Sequence, residues 1–309
     1  MEPGSQKILF VINPNSGGKA KQNYETQIRE YFKSPDHTIE YFVLEGKNDA
    51  ARLKGSIEAF KPQKVVAVGG DGTVNMVAKE LLSTGIAMGI VPAGSANGMA
   101  KDLAYPTVFN DIMNTVLNGE VKNADVIKID DHAICLHLSD IGLNARLIKY
   151  FEEGNMRGKL GYAKVALKVL WKRQQMQVAI QSTNTLIKRK AFMVVLANAS
   201  KYGTGAVINP EGDLYDGLFE VVIIRQLAIF QILKMWFKPK PFNPESIEVI
   251  KAKSVHIVTN KKVHFQVDGE YKGKVKEVRA EIMPGVLKLV IPKGLGKVGS
   301  WELGVVSGE

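Results

Sequence analysis

The sequence predicts an α/β domain built on a doubly wound parallel sheet over residues 1–124, followed by a mainly antiparallel β-sandwich domain over residues 125–309. Three observations carry this. Before residue 124, β-branched runs alternate with helical periodicity over short connections, the rhythm of βαβ units. Beyond Asp125, short alternating runs of antiparallel style replace that rhythm. Three of the first four strands end in polar, glycine-rich turns, at the sheet edge where parallel sheets hold their ligands.

Ile8–Ile12 (ILFVI) reads as strand one and runs into Asn13-Pro14-Asn15-Ser16-Gly17-Gly18. Lys19–Phe32 carries a weak helical set of Tyr24, Ile28, Tyr31 and Phe32. Thr38–Leu44 is strand two. Asn48 or Asp49 caps a helix running to Phe60, and Pro62 breaks the chain before strand three. Within Lys64–Gly72 (KVVAVGGDG), Val65, Val66 and Val68 fit a strand buried on both faces. Gly69, Gly70 and Gly72 then strip side chains from the turn, leaving Asp71 as the one polar group where backbone can approach a ligand. Thr73 is placed to N-cap the next helix, whose apolar set is Val74, Val77, Ala78, Leu81 and Leu82. Strand, bare turn and helix N-terminus together make an anion site. Ile86–Val91 is strand four, opening into Pro92-Ala93-Gly94-Ser95-Ala96-Asn97-Gly98 and a helix through Leu103. Asn13, Asp71, Ser95 and Asn97 thereby converge on one rim, which reads as a nucleoside triphosphate site. It is neither a dinucleotide fingerprint nor a P-loop, since neither spacing of glycines occurs.

The second domain comprises the runs Val126–Ile129, Ala133–Leu138, Gln177–Gln181, Ala191–Leu196, Phe219–Ile224, Ser254–Val258, Val263–Val267 and Val275–Ile282. The boundary falls near Gly119–Ala124, and the closing run Val286–Ile291 can return to either domain. Two helical insertions interrupt the runs. Met156–Gln174 interleaves apolar residues, Trp171 among them, with bases such as Lys159 and Lys168. It reads equally as a solvated surface helix and as a helix lying on an anionic membrane surface. Leu227–Phe242 clusters Trp236 and Phe237 beside Lys234, Lys238 and Lys240, part core and part interfacial anchor. Asp213 and Asp216 flank a turn that Asx geometry explains as well as a hard cation such as Mg²⁺ does. Asp268-Gly269-Glu270 leaves an apolar run at a glycine, as a hairpin does.

Composition narrows the function classes. Hydrophobic content of 45% and charged content of 23% are those of a soluble globular protein with a sizeable core. A net charge of +10 favours anionic partners. No apolar run approaches the roughly 20 residues of a membrane span, and MEPGSQK lacks the form of a signal peptide. Cys135 is the single cysteine, a packed core thiol, so no internal disulfide is expected and a reducing, cytoplasmic setting is. The five histidines show no metal-ligand spacing, which leaves zinc and nucleophilic chemistry without support. No nucleic acid partner is expected, because only the charge points to one.

Taken together, these residues resemble the diacylglycerol kinase catalytic-domain family, which includes soluble bacterial lipid kinases and the sphingosine kinases. The resemblance runs over nearly the full length, through Asn13-Pro14 with the following Ser-Gly, Gly69–Thr73, Pro92–Asn97, Gly158-Lys159-Leu160-Gly161-Tyr162, Asp213–Gly217 and Asp268-Gly269-Glu270. GGDG alone is shared with NAD kinases and phosphofructokinases; the ordered set is specific. The resemblance implies ATP on the first domain's strand ends, Mg²⁺, and transfer of the γ-phosphoryl group to a membrane lipid, with the lipid cleft between the domains. It assigns nucleotide binding to Asn13, Gly69, Gly70, Asp71, Gly72, Thr73, Gly94, Ser95 and Asn97. It assigns a structural Mg²⁺ to Asp213, Asp216 and the Leu218 carbonyl. Glu270 falls on the family's proposed general base and Asp125 on an acidic position linked to the catalytic metal network; Asp71 is expected to act on the metal or its waters. Lys159, Lys168, Trp171, Trp236 and Phe237 are the expected lipid contacts of a peripherally membrane-associated enzyme. Leu44, Met76 and Gly98 depart from the family pattern, where Thr, Glu and Asp are common. A sphingoid-base kinase, an NAD kinase and a catalytically weak nucleotide- or lipid-binding protein are the rival readings, and the sequence leaves a homodimer open.

Overall fold

The computed structural model describes residues 5–17, 24–33, 36–131, 133–153, 174–182, 185–199, 212–226 and 246–294. The N-terminal part alternates strand and helix: β1 (Lys7–Ile12), α1 (Tyr24–Tyr31), β2 (Thr38–Val43), α2 (Asp49–Phe60), β3 (Lys64–Gly69), α3 (Asp71–Leu81), β4 (Ala87–Pro92), α4 (Gly98–Asp102) and α5 (Phe109–Asn118). The chain continues as β5 (Glu120–Ile129), β6 (Ala133–Cys135), β7 (Leu138–Gly142), α6 (Leu143–Glu153), β8 (Met176–Ser182), β9 (Thr185–Ala191) and β10 (Met193–Ala197). It closes with β11 (Phe219–Ile224), β12 (Ile247–Ala252), β13 (Ser254–Val267) and β14 (Glu270–Ile291).

The parallel sheet runs β4-β3-β1-β2. β1, β3 and β4 read as nearly unbroken apolar runs because helices cover both faces, whereas the edge strand β2 (TIEYFV) is mostly exposed. Leu9, Val11, Val65 and Ala67 pack beneath Leu53, Val74, Val77 and Leu81 of α2 and α3. Ile8, Phe10, Val66 and Val68 pack against Ile28, Ile112, Met113 and Val116 of α1 and α5 on the other side. Burying each such side chain is worth about 1.5–3 kcal/mol.

The C-terminal part is antiparallel and layered. β13 pairs β8 over 255–259 but β7 over 265–267, on either side of a bulge between Val258 and Val263. The sheet forks there, into β7-β10-β11-β12 and β8-β9. Ile141, Val194, Phe219, Val221, Ile257 and Phe265 fill the space between the layers. Arg189 of β9 meets Glu248 of β12 through two hydrogen bonds of 2.8 and 3.0 Å, joining the outer edges.

Two strands belong to both parts. β5 pairs β14 antiparallel from Glu120–Ile291 to Ile129–Ala280. β14 also pairs β4 in parallel at Lys288 and Leu289.

Three local expectations are corrected. Ala133–Leu138 is not one strand; it breaks at Leu136 and His137, whose N–H groups bond a side chain instead of a ladder. Ser254–Val258 and Val263–Val267 are one bulged strand, and Val275–Ile282 and Val286–Ile291 form another, interrupted at Met283–Leu287. Gly70, not Thr73, occupies the N-cap of α3; Thr73 lies inside the first turn and is buried. The N-cap of α2 is Asn48, as expected, although it makes no side-chain capping bond; Asp49 accepts the Glu45 and Gly46 N–H groups.

Candidate active site

β1, β3 and β4 are neighbours, so the turns that leave their carboxyl ends meet on one edge. Backbone bonds stitch these turns together: Asn13 N–H to Val68 O at 3.0 Å and Ala93 N–H to Gly69 O at 2.9 Å. The glycines are needed where backbone meets backbone. A Cβ on Gly94 would lie 2.4 Å from Gly70 Cα, closer than any real contact. A Cβ on Gly69 would lie 2.3 Å from Thr73 Oγ1.

The polar side chains of the rim mostly shape it. Asn13 donates through Nδ2 to Thr73 Oγ1 at 3.0 Å, and its Oδ1 accepts Asn15 N–H at 3.0 Å. Asn97, with φ of 52°, folds back so that Oδ1 accepts Gly94 N–H at 2.8 Å and Nδ2 donates to Gly94 O at 2.9 Å. Asp71 Oδ1 accepts Met99 N–H at 3.2 Å, tying the first turn of α4 to that of α3. Ser95 is exposed at the tip. The first intrahelical bond of α3 runs from Val74 N–H to Gly70 O, at 3.0 Å. The N–H groups of Asp71, Gly72 and Thr73 therefore precede the helical ladder, in the position from which helices bind anions.

The C-terminal part reaches this rim through the β13–β14 turn. Asp268 and Gly269 have φ of 48° and 87°, the paired left-handed conformations of a type I′ hairpin. The turn delivers Glu270 to α3: a Cβ on Gly72 would lie 2.7 Å from Glu270 Oε1. Glu270 Oε2 pairs with Lys272 Nζ at 2.7 Å, and the Glu270 side chain stays 53% exposed. Beneath it, His137 Nε2 meets Asp102 Oδ2 of α4 at 2.7 Å in a buried pair. Burial opposes the imidazolium, but the bond and charge of Asp102, helped by Asp268 and Asp71, carry its pKa above the ordinary histidine value.

Asp125 lies where β5 passes between the two parts and is only 4% exposed. Its Oδ2 accepts Gly217 N–H at 2.6 Å and its Oδ1 accepts Gly285 N–H at 2.8 Å. Burial pushes its pKa up, against those two bonds, and the charges of Asp216 and Asp213 push the same way. Asp213 Oδ1 accepts Tyr215 N–H at 3.1 Å and Asp216 Oδ1 accepts Leu218 N–H at 2.9 Å, so both residues form Asx turns. Burial, with Asp213 next, pushes the Tyr215 phenol up to about 12. Among the described residues, no three His, Cys, Asp or Glu side chains stand together as a metal cluster. Two carboxylates and the Leu218 carbonyl remain an all-oxygen set, the donor chemistry Mg²⁺ takes.

Local sequence pattern missed several residues of this region. Asn198, 1% exposed, donates through Nδ2 to Asp125 O at 2.8 Å and Leu136 O at 2.9 Å, linking Asp125 to the loop under Glu270. Among the described residues, its buried Oδ1 has no hydrogen-bond partner. Asp268 lies in the Asp-Gly-Glu run that the sequence singles out, but its bonds to Asn75 and to the main chain at residues 136–138, like the His137–Asp102 pair, carry no signal at the level of motif spacing. Of the departures from the family pattern, Leu44 and Met76 pack partly buried against the α/β core, and Gly98 is the buried first residue of α4. Lys159, Lys168, Trp171, Trp236 and Phe237 lie outside the described residues. Among the described residues, no helix is long and apolar enough to cross a membrane.

Residues 7–129 match the diacylglycerol kinase catalytic domain family, and residues 139–291 match the YegS C-terminal NAD kinase beta sandwich-like domain. A diacylglycerol kinase of Bacillus subtilis (strain 168) is 22% identical over 281 residues, covering 87% of this chain and 91% of its own. The lipid kinase YegS of Escherichia coli (strain K12) is 25% identical over 298 residues, covering 92% of this chain and 95% of its own. A crystal structure of a putative diacylglycerol kinase from Bacillus anthracis str. Sterne superposes with a TM-score of 0.73 at 21% identity, over 93% of this chain and 98% of that one. Two consecutive domain matches, an α/β part with glycine turns and an antiparallel sandwich closing over it lead to one assignment: the chain belongs to the diacylglycerol kinase catalytic-domain family.

Proposed function

We propose that this lipid kinase is ATP-dependent and transfers the γ-phosphoryl group to a hydroxyl of a membrane lipid, with diacylglycerol the leading acceptor. The single observation that carries the reading is Glu270 standing against Gly72, a carboxylate at the mouth of a bare helix N-terminus. Phosphoryl transfer asks a protein mainly to position its reactants and to stabilise charge. The Gly69–Thr73 and Gly94–Asn97 turns offer main-chain N–H groups to the phosphates, and Asn13, Asp71 and Asn97 hold those turns in register. Glu270 accepts the proton of the attacking hydroxyl, from a position half open to the substrate side. Asp213, Asp216 and the Leu218 carbonyl are the groups that would hold a structural Mg²⁺, and a Mg²⁺ bound with the nucleotide would neutralise developing phosphate charge. The basic surface charge favours peripheral attachment to an anionic cytoplasmic membrane face.

The test is transfer of labelled phosphate from ATP to mixed vesicles of diacylglycerol and anionic phospholipid, with sphingosine and NAD as competing acceptors. Glu270→Gln and Asp71→Ala are each expected to lower transfer by about 100-fold or more. Near-wild-type transfer by Glu270→Gln sinks the proton-acceptor role, and phosphorylation of NAD without lipid transfers the assignment to the rival reading.

A further inference from the structure

Glu270 serves the glycine turn only while the β13–β14 turn keeps one register against α3. The residue two positions before it is held far more tightly than a hairpin requires. A two-residue turn closes on its own strand bonds. The Asp268 carboxylate in addition accepts five donors from two other segments, residues 135–138 and α3. Its Oδ2 takes Leu136 N–H at 2.8 Å, and its Oδ1 takes His137 N–H at 2.9 Å and Leu138 N–H at 3.1 Å. The Cys135 thiol reaches Oδ1 at 3.4 Å. The fifth donor comes from the N-terminal part: Asn75 Nδ2 reaches Oδ2 at 2.7 Å.

Asn75 stands on α3 one turn beyond Asp71 and Gly72, on the helix whose N-terminus forms the phosphate cradle. Both hydrogens of its amide are committed, one to Asp268 and one to Ile134 O at 3.1 Å. The cradle and the turn that carries Glu270 are thus joined by a charge-assisted bond close behind the Glu270–Gly72 contact.

We propose that Asn75 and Asp268 are positioning residues that set the distance between Glu270 and the phosphate cradle. Neither touches substrate. The proposal rests on the reading of Glu270 as proton acceptor. A merely structural pair would lower stability and rate alike, whatever stood at position 270; a positioning pair acts only through Glu270.

The experiment is a double-mutant cycle on the full chain. Asn75→Ala is made in the wild-type and Glu270→Gln backgrounds, with kcat and the KM for ATP measured on diacylglycerol vesicles and the melting temperature recorded for each. Because Asp268→Asn disturbs the main-chain N–H groups of residues 136–138 and risks folding, Asn75 carries the test. Asn75→Ala is expected to lower kcat about 10- to 100-fold in the wild-type background, with the KM for ATP within about twofold. In the Glu270→Gln background the same change is expected to cost less than about twofold. Asn75→Asp, which faces one carboxylate with another, is expected to lower kcat further than Asn75→Ala. An equal loss in both backgrounds, or an unchanged kcat for Asn75→Ala, overturns the positioning role and leaves the Glu270 reading intact. Wild-type transfer by Glu270→Gln overturns both.

Discussion

Replacing Gly72 by alanine separates the catalytic use of the helix N-terminus from its structural use. The added methyl would lie 2.7 Å from Glu270 Oε1, and 3.8 Å from the carboxyl carbon. Glu270 must therefore retreat by about 0.7 Å to reach ordinary contact, and being the far end of a flexible, half-exposed side chain it can do so cheaply. Gly72 has helical neighbours, and alanine is the better helix former by about 1 kcal/mol. The variant is expected to melt at the wild-type temperature or about 2–4 °C above it. Transfer should nonetheless fall, because displacing a proton acceptor by a large fraction of an ångström costs about 10- to 100-fold. Labelled-ATP turnover on diacylglycerol vesicles, read beside a thermal melt, checks both halves. Turnover within twofold of wild type in a well-folded variant would refute the claim that the Glu270–Gly72 contact matters. A melt lowered by more than about 5 °C would refute the claim that the collision is with a side chain free to yield.

The Gly94→Ala variant should behave in the opposite way, because its methyl meets Gly70 backbone at 2.4 Å and nothing there can rotate aside. It is expected to lose about 1–3 kcal/mol of stability and to bind ATP more weakly, measured by chemical denaturation and calorimetric titration; an unchanged midpoint would show that the two turns do not touch. His137 makes stability depend on pH. Its folded pKa is raised by Asp102 against the cost of burial, so its contribution is complete below the unfolded value near 6.5 and is lost as pH rises through the folded value. The melting temperature should fall across that interval, and the difference between wild type and His137→Gln should shrink with it; a difference that stays constant from pH 6 to well above that interval would refute the protonated pair.

The α/β half was legible because β1, β3 and β4 are buried on both faces, which leaves uninterrupted runs such as ILFVI and KVVAVG. The strands that escaped detection are β7 (LSDIG), short and carrying the buried polar Ser139 and Asp140, and β9 and β12, TLIKRKA and IEVIKA, edge strands with one mostly exposed face. Their composition resembles that of a loop. Thr73 looked like a cap by local rule, yet its hydroxyl is taken by Asn13, 60 residues away in sequence. The strand expected over Ala133–Leu138 broke for the same kind of reason: the acceptor for its N–H groups is Asp268, more than 130 residues downstream for Leu136 and His137. Glycines and acidic turns advertise a site because their chemistry is local. The groups that hold the site together are ordinary Asn, Asp and His residues whose partners only the fold supplies.

The two long strands shared by both halves have a mechanical consequence. β5 and β14 form a paired ribbon that passes from one half into the other, without a loop on which the halves could swing. Its weak point is the irregularity at Met283–Leu287, where Gly285 is pinned by Asp125. Relative motion of the glycine turns and Glu270 must then arise as torsion of this ribbon, a small shear rather than a jaw that gapes and shuts.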